Sequence, residues 1–335
     1  MCRDIQRNGL LFKSKIKKTW RAGFSQSNYC QSKSIMSTRS GYVSIIGKPN
    51  VGKSTLLNEL LEKKISITAD KSQTTRNNIM GIKTHGETQI IFLDTPGIHS
   101  KKTKILNKVL NKSAQGVIED SDLILFLVQR NQLDELDQKV LDILKGTNQQ
   151  VICVVNKIDQ LADKQKLLPF IEKLSSQYDF KAIVPISALK KSGIDDLLNT
   201  IIDLLPENPH LFPEDYGSNL AENSFYISEI VREKLTRTLG DEIPYELYVS
   251  VETNEVKGKV RNIGVIIHVA KQSQKNIVIG NNGDILKKIG KAARLDLEET
   301  LGEKVMLKSW VKVKKNWSKS LEHIQGLGIG GNKDA

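Results

Sequence analysis

The sequence has few cysteines, few aromatic residues and no long apolar run. Its three cysteines, Cys2, Cys30 and Cys153, share no C-x-x-C or zinc-type spacing, which argues against a disulfide framework or a structural zinc site and favours a reducing compartment. Aromatic residues make up only 5% of the chain. No apolar stretch approaches the roughly 18 residues that a membrane-spanning helix needs. We therefore expect a globular protein without a transmembrane segment.

Acidic residues are scarce at both ends of the chain. Residues 1–40 carry nine Lys or Arg and one acid, and residues 257–319 carry fifteen Lys or Arg and five acids. Since the net charge is +12, the remainder is mildly acidic. A concentrated basic region is typical of proteins that bind nucleic acid or anionic membranes. A lysine-rich surface that is merely solvated explains the charge equally well.

The first 40 residues show no useful helical or strand periodicity and are rich in Ser, Lys and Arg. Three interpretations stay open: a disordered basic arm, an organellar presequence, or a start assigned too early, since Met36 lies just ahead of the first convincing strand. This extension is therefore left out of the fold prediction.

From Gly41 onward, short apolar runs alternate with amphipathic segments. The runs predict buried strands at Tyr42–Ile46, Gln89–Leu93, Leu123–Val128, Val151–Val155 and Ile183–Ile186. The intervening segments predict helices at Lys53–Leu61, Thr103–Glu119, Leu136–Lys145, Asp163–Gln177 and Asp195–Leu205. Such alternation predicts an α/β domain whose mostly parallel sheet is covered on both faces.

Three prolines within residues 206–213 mark a domain boundary. Beyond it the pattern predicts an α+β module with a helix at Ala221–Leu239, strands at Tyr245–Thr253, Ile263–Ala270 and Val305–Lys314, and two helical stretches between the second and third strands. The predicted organisation is an extension (1–40), an α/β domain (41–206), a linker (207–220), the α+β module (221–317) and a flexible tail (318–335).

A complete phosphate-binding loop, G-x-x-x-x-G-K-S, lies between the first predicted strand and helix. Glycine permits the tight turn that lets successive backbone N–H groups converge on phosphates at a helix N-terminus. The lysine reaches the β- and γ-phosphates, and the serine hydroxyl ligates Mg²⁺. The predicted phosphate-binding residues are Gly47, Lys48, Pro49, Asn50, Val51, Gly52, Lys53, Ser54 and Thr55.

Three further motifs, each placed at the end of a predicted strand, indicate a guanine nucleotide. They are Asp94, Thr95, Pro96 and Gly97; then Asn156, Lys157, Ile158 and Asp159; then Ile186, Ser187 and Ala188. The carboxylate of Asp159 can accept both N1–H and the exocyclic amino group of guanine, a donor pair that adenine lacks. Open α/β sheets bind ligands at this edge, so GTP and GDP are the predicted ligands. A backbone N–H of Ser187–Ala188 is predicted to complete the base pocket.

A polar segment between these motifs, with Gln73, Thr74, Thr75 and Arg76, is predicted to sense the γ-phosphate. Thr75, with Thr74 as the alternative, is expected to ligate Mg²⁺ when GTP is bound and to release it after hydrolysis. The predicted Mg²⁺ ligands are therefore Ser54, Thr75 and Asp94. The predicted catalytic residues are Lys53, Thr75, Asp94 and Gly97.

The residue after the D-x-x-G motif departs from a common pattern. Many GTPases have a glutamine there that orients the attacking water, whereas this chain has Ile98, which cannot hydrogen-bond water. Hydrolysis is then organised otherwise and its basal rate is expected to be slow. One hypothesis is that the Asn50 side chain helps to hold a monovalent cation such as K⁺ beside the phosphates.

A Gly-x-x-Gly segment in the second module predicts RNA binding. Such a loop between two helices clamps a short single-stranded segment with its backbone, while basic residues hold phosphates. Its predicted RNA-binding residues are Lys275, Ile279, Gly280, Asn281, Asn282, Gly283, Lys287, Lys288, Lys291 and Arg294. We expect Ile277, Ile279, Ile285 and Ile289 to support helix packing, and Trp310 to lie in the core rather than to stack on a base.

Together, these motifs make the chain resemble the Era family of GTPases. The resemblance rests on GKPNVGKST, QTTR, DTPG, NKID and ISA, on FPEDY at 212–216, and on VIGNNG and WVKVK. It implies a P-loop GTPase domain with a mixed, mostly parallel sheet, and a type II KH domain. It also implies a monomeric factor that binds the 3′ end of 16S-type ribosomal RNA and assists small (30S-type) subunit assembly.

The resemblance further implies a cytoplasmic protein with peripheral inner-membrane association. Two departures matter. Asn282 stands where family members commonly have lysine, and the 40-residue extension leaves a mitochondrial relative, acting in the matrix, as an alternative. From the residues alone, a membrane-associated signalling GTPase and an RNA-binding protein that merely retains nucleotide also stay open.

Overall fold

The computed structural model describes residues 38–63, 66, 79–94, 116–129, 133–161, 165, 167–213, 223–239 and 247–315. Most of the predicted extension, all of the predicted tail and most of the predicted helix at 103–119 lie outside these ranges; residues 116–120 are helical. Within the described residues, no helix is long and apolar enough to cross a membrane.

Among the described residues, the first sheet has six strands in the order β2-β3-β1-β4-β5-β6. These strands are β1 (Arg39–Ile46), β2 (Ile79–His85), β3 (Thr88–Asp94), β4 (Leu123–Gln129), β5 (Gln150–Asn156) and β6 (Ala182–Pro185). Every neighbouring pair is parallel except β2 with β3, which is antiparallel. The prediction of a mixed, mostly parallel sheet is thus confirmed.

Helices cover both faces of this sheet. They are α1 (Lys53–Leu61), α2 (Glu135–Leu144), α3 (Leu167–Ser175) and α4 (Ile194–Leu204). Side chains of a strand point alternately to its two faces: Leu125 of β4 belongs to a core with residues of α1 and α4, and its neighbour Phe126 belongs to another with residues of α2 and α3. Helices cover β4 on both faces, and its side chains toward both faces are apolar. The continuous apolar run Leu123–Val128 therefore predicted a buried strand correctly.

The second domain has the order helix-strand-strand-helix-helix-strand, as in a type II KH domain. Its elements are α5 (Ser224–Thr238), β7 (Leu247–Lys257), β8 (Val260–Val269), α6 (Gln272–Ile279), α7 (Asp284–Leu301) and β9 (Lys304–Val313). The sheet order is β7-β8-β9, with β7 and β8 antiparallel and β8 and β9 parallel. One core, which contains Ile227, Ile267 and Leu297, joins the helices to one face of this sheet.

The first part of the predicted linker is anchored on the first domain. The buried Gln89 of β3 accepts hydrogen bonds from the backbone N–H groups of Leu211 (2.8 Å) and Phe212 (2.9 Å) and donates one to the Phe212 carbonyl (2.8 Å). Ser40 of β1 donates to the Pro209 carbonyl (2.7 Å). Residues 206–213 therefore lie across the strand ends opposite to the carboxyl edge of the sheet.

Two packing predictions were wrong. Trp310, expected in the core, is 50% exposed, and Ile277, expected to support helix packing, is 47% exposed. Trp310 occupies a position of β9 that alternates with the buried Val305 and Val311 and so faces away from the helices. By contrast, Ile289 is buried, and Ile279 and Ile285 pack against the KH core as expected.

Candidate functional site

The predicted nucleotide motifs meet at the carboxyl edge of the first sheet. Gly47 follows β1, Asp94 ends β3, Asn156 ends β5 and Ser187 follows β6. Because these four strands are parallel, their ends share one edge, which is where open α/β sheets bind ligands.

The phosphate loop has a backbone that requires glycine at two positions. Gly47 has a φ of 152°, and an added Cβ would lie 2.6 Å from the Leu127 carbonyl oxygen; Gly52 has a φ of 106°, and its Cβ would lie 2.3 Å from Nδ2 of Asn156. Helix α1 begins directly afterwards at Lys53. The N–H groups of its first turn carry the partial positive charge that phosphate requires.

Lys53 lies inside the loop that it serves. Its Nζ donates hydrogen bonds to the carbonyl oxygens of Gly47 (3.0 Å) and Lys48 (2.8 Å), and the side chain is buried. Burial lowers the pKa of Lys53 to about 8, against the opposing charge of Asp94. Both hydrogen-bond acceptors of the ammonium are uncharged carbonyl oxygens. A bound phosphate would give it an anionic acceptor, so the loop fits the predicted nucleotide.

Two predicted Mg²⁺ ligands are in contact: Ser54, in the first turn of α1, and Asp94, at the end of β3. Ser54 Oγ donates to Oδ2 of Asp94 (3.0 Å), as does Oγ of Ser66 (3.0 Å), and Asp94 is fully buried. A loop hydroxyl together with a strand-end aspartate is the donor set that holds Mg²⁺ in P-loop enzymes. The described residues thus fit the ion, although they hold no cluster of three or more His, Cys, Asp or Glu suited to metal binding.

Asn156 connects the three segments of the base pocket. Its Nδ2 donates to the Val51 carbonyl (2.9 Å), and its Oδ1 accepts from the backbone N–H groups of Lys157 (2.8 Å) and Ala188 (3.0 Å). Lys157, with a φ of 65°, reaches back with Nζ to the Asn50 carbonyl (2.7 Å). The amide of Asn156 and the ammonium of Lys157 therefore hold the segments of the pocket together.

Ser187 takes part through its side chain. Its Oγ donates to Oδ1 of Asp159 (2.6 Å), whereas its backbone N–H donates to the Ser192 carbonyl (2.9 Å). The serine thus orients the carboxylate predicted to select guanine. Of the two backbone N–H groups assigned to the pocket, that of Ser187 is committed to Ser192 and that of Ala188 to Asn156.

Lys48 has a partner that sequence reasoning missed. Its nearly buried Nζ forms ion pairs with Asp134 (2.8 Å) and Asp137 (2.7 Å), at the start of α2. Burial acts to lower the Lys48 pKa, but hydrogen bonds with the two carboxylates outweigh burial and raise the pKa above its usual value. Only the backbone of Lys48 is therefore available to a phosphate, and its side chain fixes the loop to α2.

Several predicted site residues lie outside the described residues, and their roles stay predictions. They are Gln73, Thr74, Thr75, Arg76, Thr95, Pro96 and Gly97, together with Ile98. The structure brings together the remaining members of the set: Gly47, Lys48, Pro49, Asn50, Val51, Gly52, Lys53, Ser54, Thr55, Asp94, Asn156, Lys157, Ile158, Asp159, Ile186, Ser187 and Ala188.

The Gly-x-x-Gly loop joins α6 to α7 and has an unusual backbone. Gly280 (75°), Asn282 (51°) and Gly283 (80°) all have positive φ. An added Cβ at Gly280 would lie 2.1 Å from Oδ1 of Asp284, whereas one at Gly283 would meet nothing within 4 Å. The outer side of the loop at Gly283 is thus open to close approach by a ligand backbone.

A cavity of about 540 Å³ lies beside this loop, and Ile277 and Ile279 are among its lining residues. Ile277 is thus part of the wall of this cavity and not of the core. Lys287, Lys288 and Lys291 are exposed on α7, and Lys275 is half-buried on α6. Arg294 instead donates to Oε1 (3.1 Å) and Oε2 (3.2 Å) of Glu298, so its charge is partly neutralised within α7.

Comparisons with known proteins agree on both domains. The profile of the 50S ribosome-binding GTPase family matches residues 42–157, and that of the KH domain matches residues 242–318. The chain is 43% identical over 292 residues to GTPase Era of Marinobacter nauticus, a match that covers 87% of this chain and 95% of the relative. It is 44% identical over 293 residues to GTPase Era of Pseudomonas syringae pv. tomato, with 88% and 97% covered.

Two crystal structures match over both domains. One is an Aquifex aeolicus Era variant bound to GDP·AlF₄⁻, with a TM-score of 0.83, 39% identity, and coverage of 87% of this chain and 99% of that chain. The other is an Era in complex with MgGDPNP and nucleotides 1506–1542 of 16S ribosomal RNA, with a TM-score of 0.82, 39% identity and the same coverage.

Proposed function

The chain belongs to the Era family of GTPases, and from this premise we propose that it binds the 3′ end of small-subunit (16S-type) ribosomal RNA and assists assembly of the small ribosomal subunit. GTP binding favours RNA binding, and hydrolysis to GDP and phosphate releases the factor. One observation carries the RNA part of the proposal: the Gly280–Gly283 loop has positive φ at both glycines and open space at Gly283. The Era complex with 16S ribosomal RNA supports the choice of RNA.

The GTPase residues act by binding and orientation. Backbone N–H groups of the phosphate loop and the ammonium of Lys53 hold the phosphates, and Asp159, oriented by Ser187, accepts from the guanine edge. Ser54 and Asp94 would hold Mg²⁺, which neutralises charge on the β- and γ-phosphates. These groups bind and orient the phosphates and stabilise their negative charge, and none of them forms a covalent bond to phosphorus. The site is therefore suited to phosphoryl transfer to water.

RNA affinity in different nucleotide states tests the proposal. The full chain is titrated with an oligonucleotide of the small-subunit 3′-end sequence in the presence of a non-hydrolysable GTP analogue, GDP or no nucleotide. Gly283→Asp places a carboxylate on the open side of the loop, and we expect it to weaken RNA binding at least tenfold, a change of about 1.4 kcal/mol. Wild-type affinity should be highest with the GTP analogue.

Gly258→Asp is the matched control. Gly258 lies in the β7–β8 turn with a φ of 64° and nothing within 4 Å of an added Cβ, so it receives the same charge in a similar conformation. Equal losses in the two variants, or RNA affinity that is independent of nucleotide, would contradict the proposal. Binding to anionic vesicles without RNA binding would instead indicate a membrane-associated signalling GTPase.

We also propose that a monovalent cation assists hydrolysis. Ile98 stands where many GTPases have the water-orienting glutamine, and the loop conformation at Asn50, with a φ of 61°, is held by Lys157. Turnover should be faster in K⁺ than in Na⁺, and Asn50→Ala should remove the difference. Equal rates in both salts for the wild-type chain would exclude this role.

The setting in the cell is the last part of the proposal. We place a monomeric factor in the cytoplasm with peripheral inner-membrane contact, or in the mitochondrial matrix if residues 1–35 are a presequence. Fractionation of cells that express the full chain, with light scattering of the purified protein, tests location and oligomeric state together. Cleavage after import into isolated mitochondria would favour the matrix, and a stable dimer in solution would contradict the monomer.

A further inference from the structure

The outer face of the KH sheet carries a row of exposed side chains along its edge strand. We call Met306, Lys308, Trp310 and Lys312 the outer row. They alternate along β9 with Val305 and Val311, which are buried, and with Leu307 and Val313, which pack against the same core. The outer row therefore faces away from α6, α7 and the Gly-x-x-Gly loop between them. Met306 (49% exposed) and Trp310 (50% exposed) are large apolar side chains in contact with solvent.

The Trp310 ring lies against the neighbouring strand at Gly264. A Cβ on Gly264 would lie 3.2 Å from Cζ3 of Trp310 and 2.5 Å from Oγ1 of Thr253. The missing side chain at Gly264 thus leaves room for the indole to pack on the sheet while half of its surface stays exposed. An indole supported in this way is a rigid platform for a stacked base.

Lys308 and Lys312 flank the ring at the two-residue spacing of one strand face, about 6.7 Å on either side. Neither lysine has an ion-pair partner among the described residues. His268 pairs with Lys312 across the strands. Burial lowers the pKa of His268 to about 4, and the charges of Lys314 and Lys312 lower it further, whereas that of Glu252 opposes the shift.

The positive charge on the outer face of the sheet follows one strand, β9, and does not cover the whole face. The opposite edge strand, β7, carries the exposed carboxylates Glu252 and Glu255, and the latter forms an ion pair with Lys257 (3.3 Å). Between β7 and β9, the middle strand β8 has the uncharged residues Asn262, Gly264 and Ile266 on its outer face. A flat anionic membrane would meet both edges of the sheet, including the carboxylates of Glu252 and Glu255. A linear polyanion can follow β9 alone.

We infer that the outer row binds a second, single-stranded segment of RNA, separate from the segment held by the Gly-x-x-Gly loop. Lys308 and Lys312 contact phosphates, and Trp310 stacks on a base between them, the combination by which proteins hold single strands. This inference rests on the proposed RNA-binding function. It places two single-stranded contacts on opposite faces of one small sheet, so a long RNA would pass around its edge.

The test compares two RNA lengths with the full chain. A short oligonucleotide fills only the loop site, and a longer one extends it on both sides by about ten nucleotides, within the range of single-strand site sizes. Trp310→Ala should weaken binding of the long RNA about tenfold, the loss typical of removing one stacked base, and leave binding of the short RNA unchanged. Trp310→Phe, which keeps an aromatic face, should restore most of the affinity.

The lysines are tested through salt dependence. For single strands, log K changes with log salt by about 0.7 per phosphate contact. The double variant Lys308→Gln/Lys312→Gln should therefore reduce the slope for the long RNA by about 1.4. Lys173→Gln/Lys181→Gln, which removes two exposed lysines of the GTPase domain, is the matched control and should leave the slope unchanged. Thermal unfolding confirms that each variant is folded.

The outcomes separate the two proposals. If wild-type protein does not bind the short RNA, the proposed function fails. If it binds but the outer-row variants retain wild-type affinity and slope for the long RNA, only the second contact is excluded. If the outer-row variants bound the long RNA as wild type does but lost binding to phosphatidylserine vesicles or to a poly-glutamate peptide, the outer row would be assigned to a membrane or to an acidic protein. That result would overturn the inference.

Discussion

Nδ2 of Asn156 donates a hydrogen bond to the carbonyl oxygen of Val51 at 2.9 Å, inside the protein. This contact ties the end of β5 to the phosphate loop, so the segments that hold base and phosphate are fixed to each other. The Gly52 Cα lies against the same amide, since a Cβ there would approach Nδ2 to 2.3 Å. Base recognition and phosphate recognition are therefore coupled through one side chain.

Replacement of Asn156 by alanine should therefore affect both stability and ligand binding. It leaves the Val51 carbonyl and the Ala188 N–H without their partner, and an unsatisfied buried group costs about 1–3 kcal/mol. We expect the free energy of unfolding to fall by about 2 kcal/mol, with weaker binding of a fluorescent GDP. Urea unfolding and equilibrium titration measure the two effects. Asn148→Ala, at an exposed position, should change neither.

The buried ammonium of Lys53 predicts a pH dependence of nucleotide binding. Its pKa is lowered to about 8 in the ligand-free site, and bound phosphates raise it because they favour the charged form. Below about pH 8 the lysine is already charged, so affinity should be flat there. Above it, binding must take up a proton, and affinity should fall by up to about tenfold per pH unit.

A titration of GDP affinity between about pH 7 and about pH 9 checks this, since that window brackets the lowered pKa. Lys53→Arg is the control because arginine stays charged throughout, and its affinity, whatever its absolute value, should not show the break near pH 8. A break of equal size in both proteins would assign the titration to another group.

Much of the nucleotide site was predictable because it depends on local patterns. Glycine spacing fixes the phosphate loop, and continuous apolar runs such as Leu123–Val128 identify the parallel strands that place each motif at one edge. The strand β2 was not predicted. Its sequence mixes Gly81 and Lys83 with apolar residues, since an edge strand needs apolar side chains on fewer positions than a central one.

Long-range polar contacts were not predictable from sequence. Lys48 is part of the loop motif, yet the carboxylates that bind it lie 86 and 89 residues away. Gln89 was predicted only as the first residue of a strand, but its hydrogen-bond partners are 122 and 123 residues distant along the chain.

The exposure of Trp310 was not predictable from sequence either, because alternation along β9 does not reveal which of the two faces is covered by helices.

The two glycines of the RNA loop should differ in what they tolerate. Gly280 has a φ of 75° and a ψ of −177°, a region essentially restricted to glycine, and a Cβ there would lie 2.6 Å from Cγ1 of Ile285. Gly280→Ala should lower the free energy of unfolding by about 3 kcal/mol. Gly283→Ala, in the left-handed region with open space around it, should cost about 1 kcal/mol.

Thermal and urea unfolding of the two alanine variants measure this difference directly. Gly302→Ala is a suitable reference, because Gly302 has a φ of 67° and also meets nothing within 4 Å; it should behave like Gly283→Ala. Equal losses at Gly280 and Gly283 would show that the crowding at Gly280 relaxes at no cost, and would remove the reason for restricting RNA tests to Gly283.

The contact between Ser187 and Asp159 predicts how the base preference can be changed. Ser187 donates to Oδ1 of Asp159 at 2.6 Å, so Oδ2 is the carboxylate oxygen that we expect to face the base. In Asp159→Asn, Oδ1 can keep the serine while Nδ2 faces the ligand. Guanine then meets a donor with its own donors, so GTP affinity should fall by about 100-fold, the loss of about 3 kcal/mol expected for a charge-assisted hydrogen bond.

Xanthine should reverse the loss, because it has a carbonyl where guanine has its amino group and accepts from Nδ2. Competition of GTP and xanthosine triphosphate against a fluorescent nucleotide gives both affinities for wild type and variant. Asp195→Asn, which changes an exposed carboxylate on α4, should preserve the preference for GTP. If Asp159→Asn weakened both nucleotides equally, the carboxylate would stabilise the pocket without reading the base. Preference for xanthosine triphosphate in that variant alone would show that Asp159 contacts the 2-position of the base.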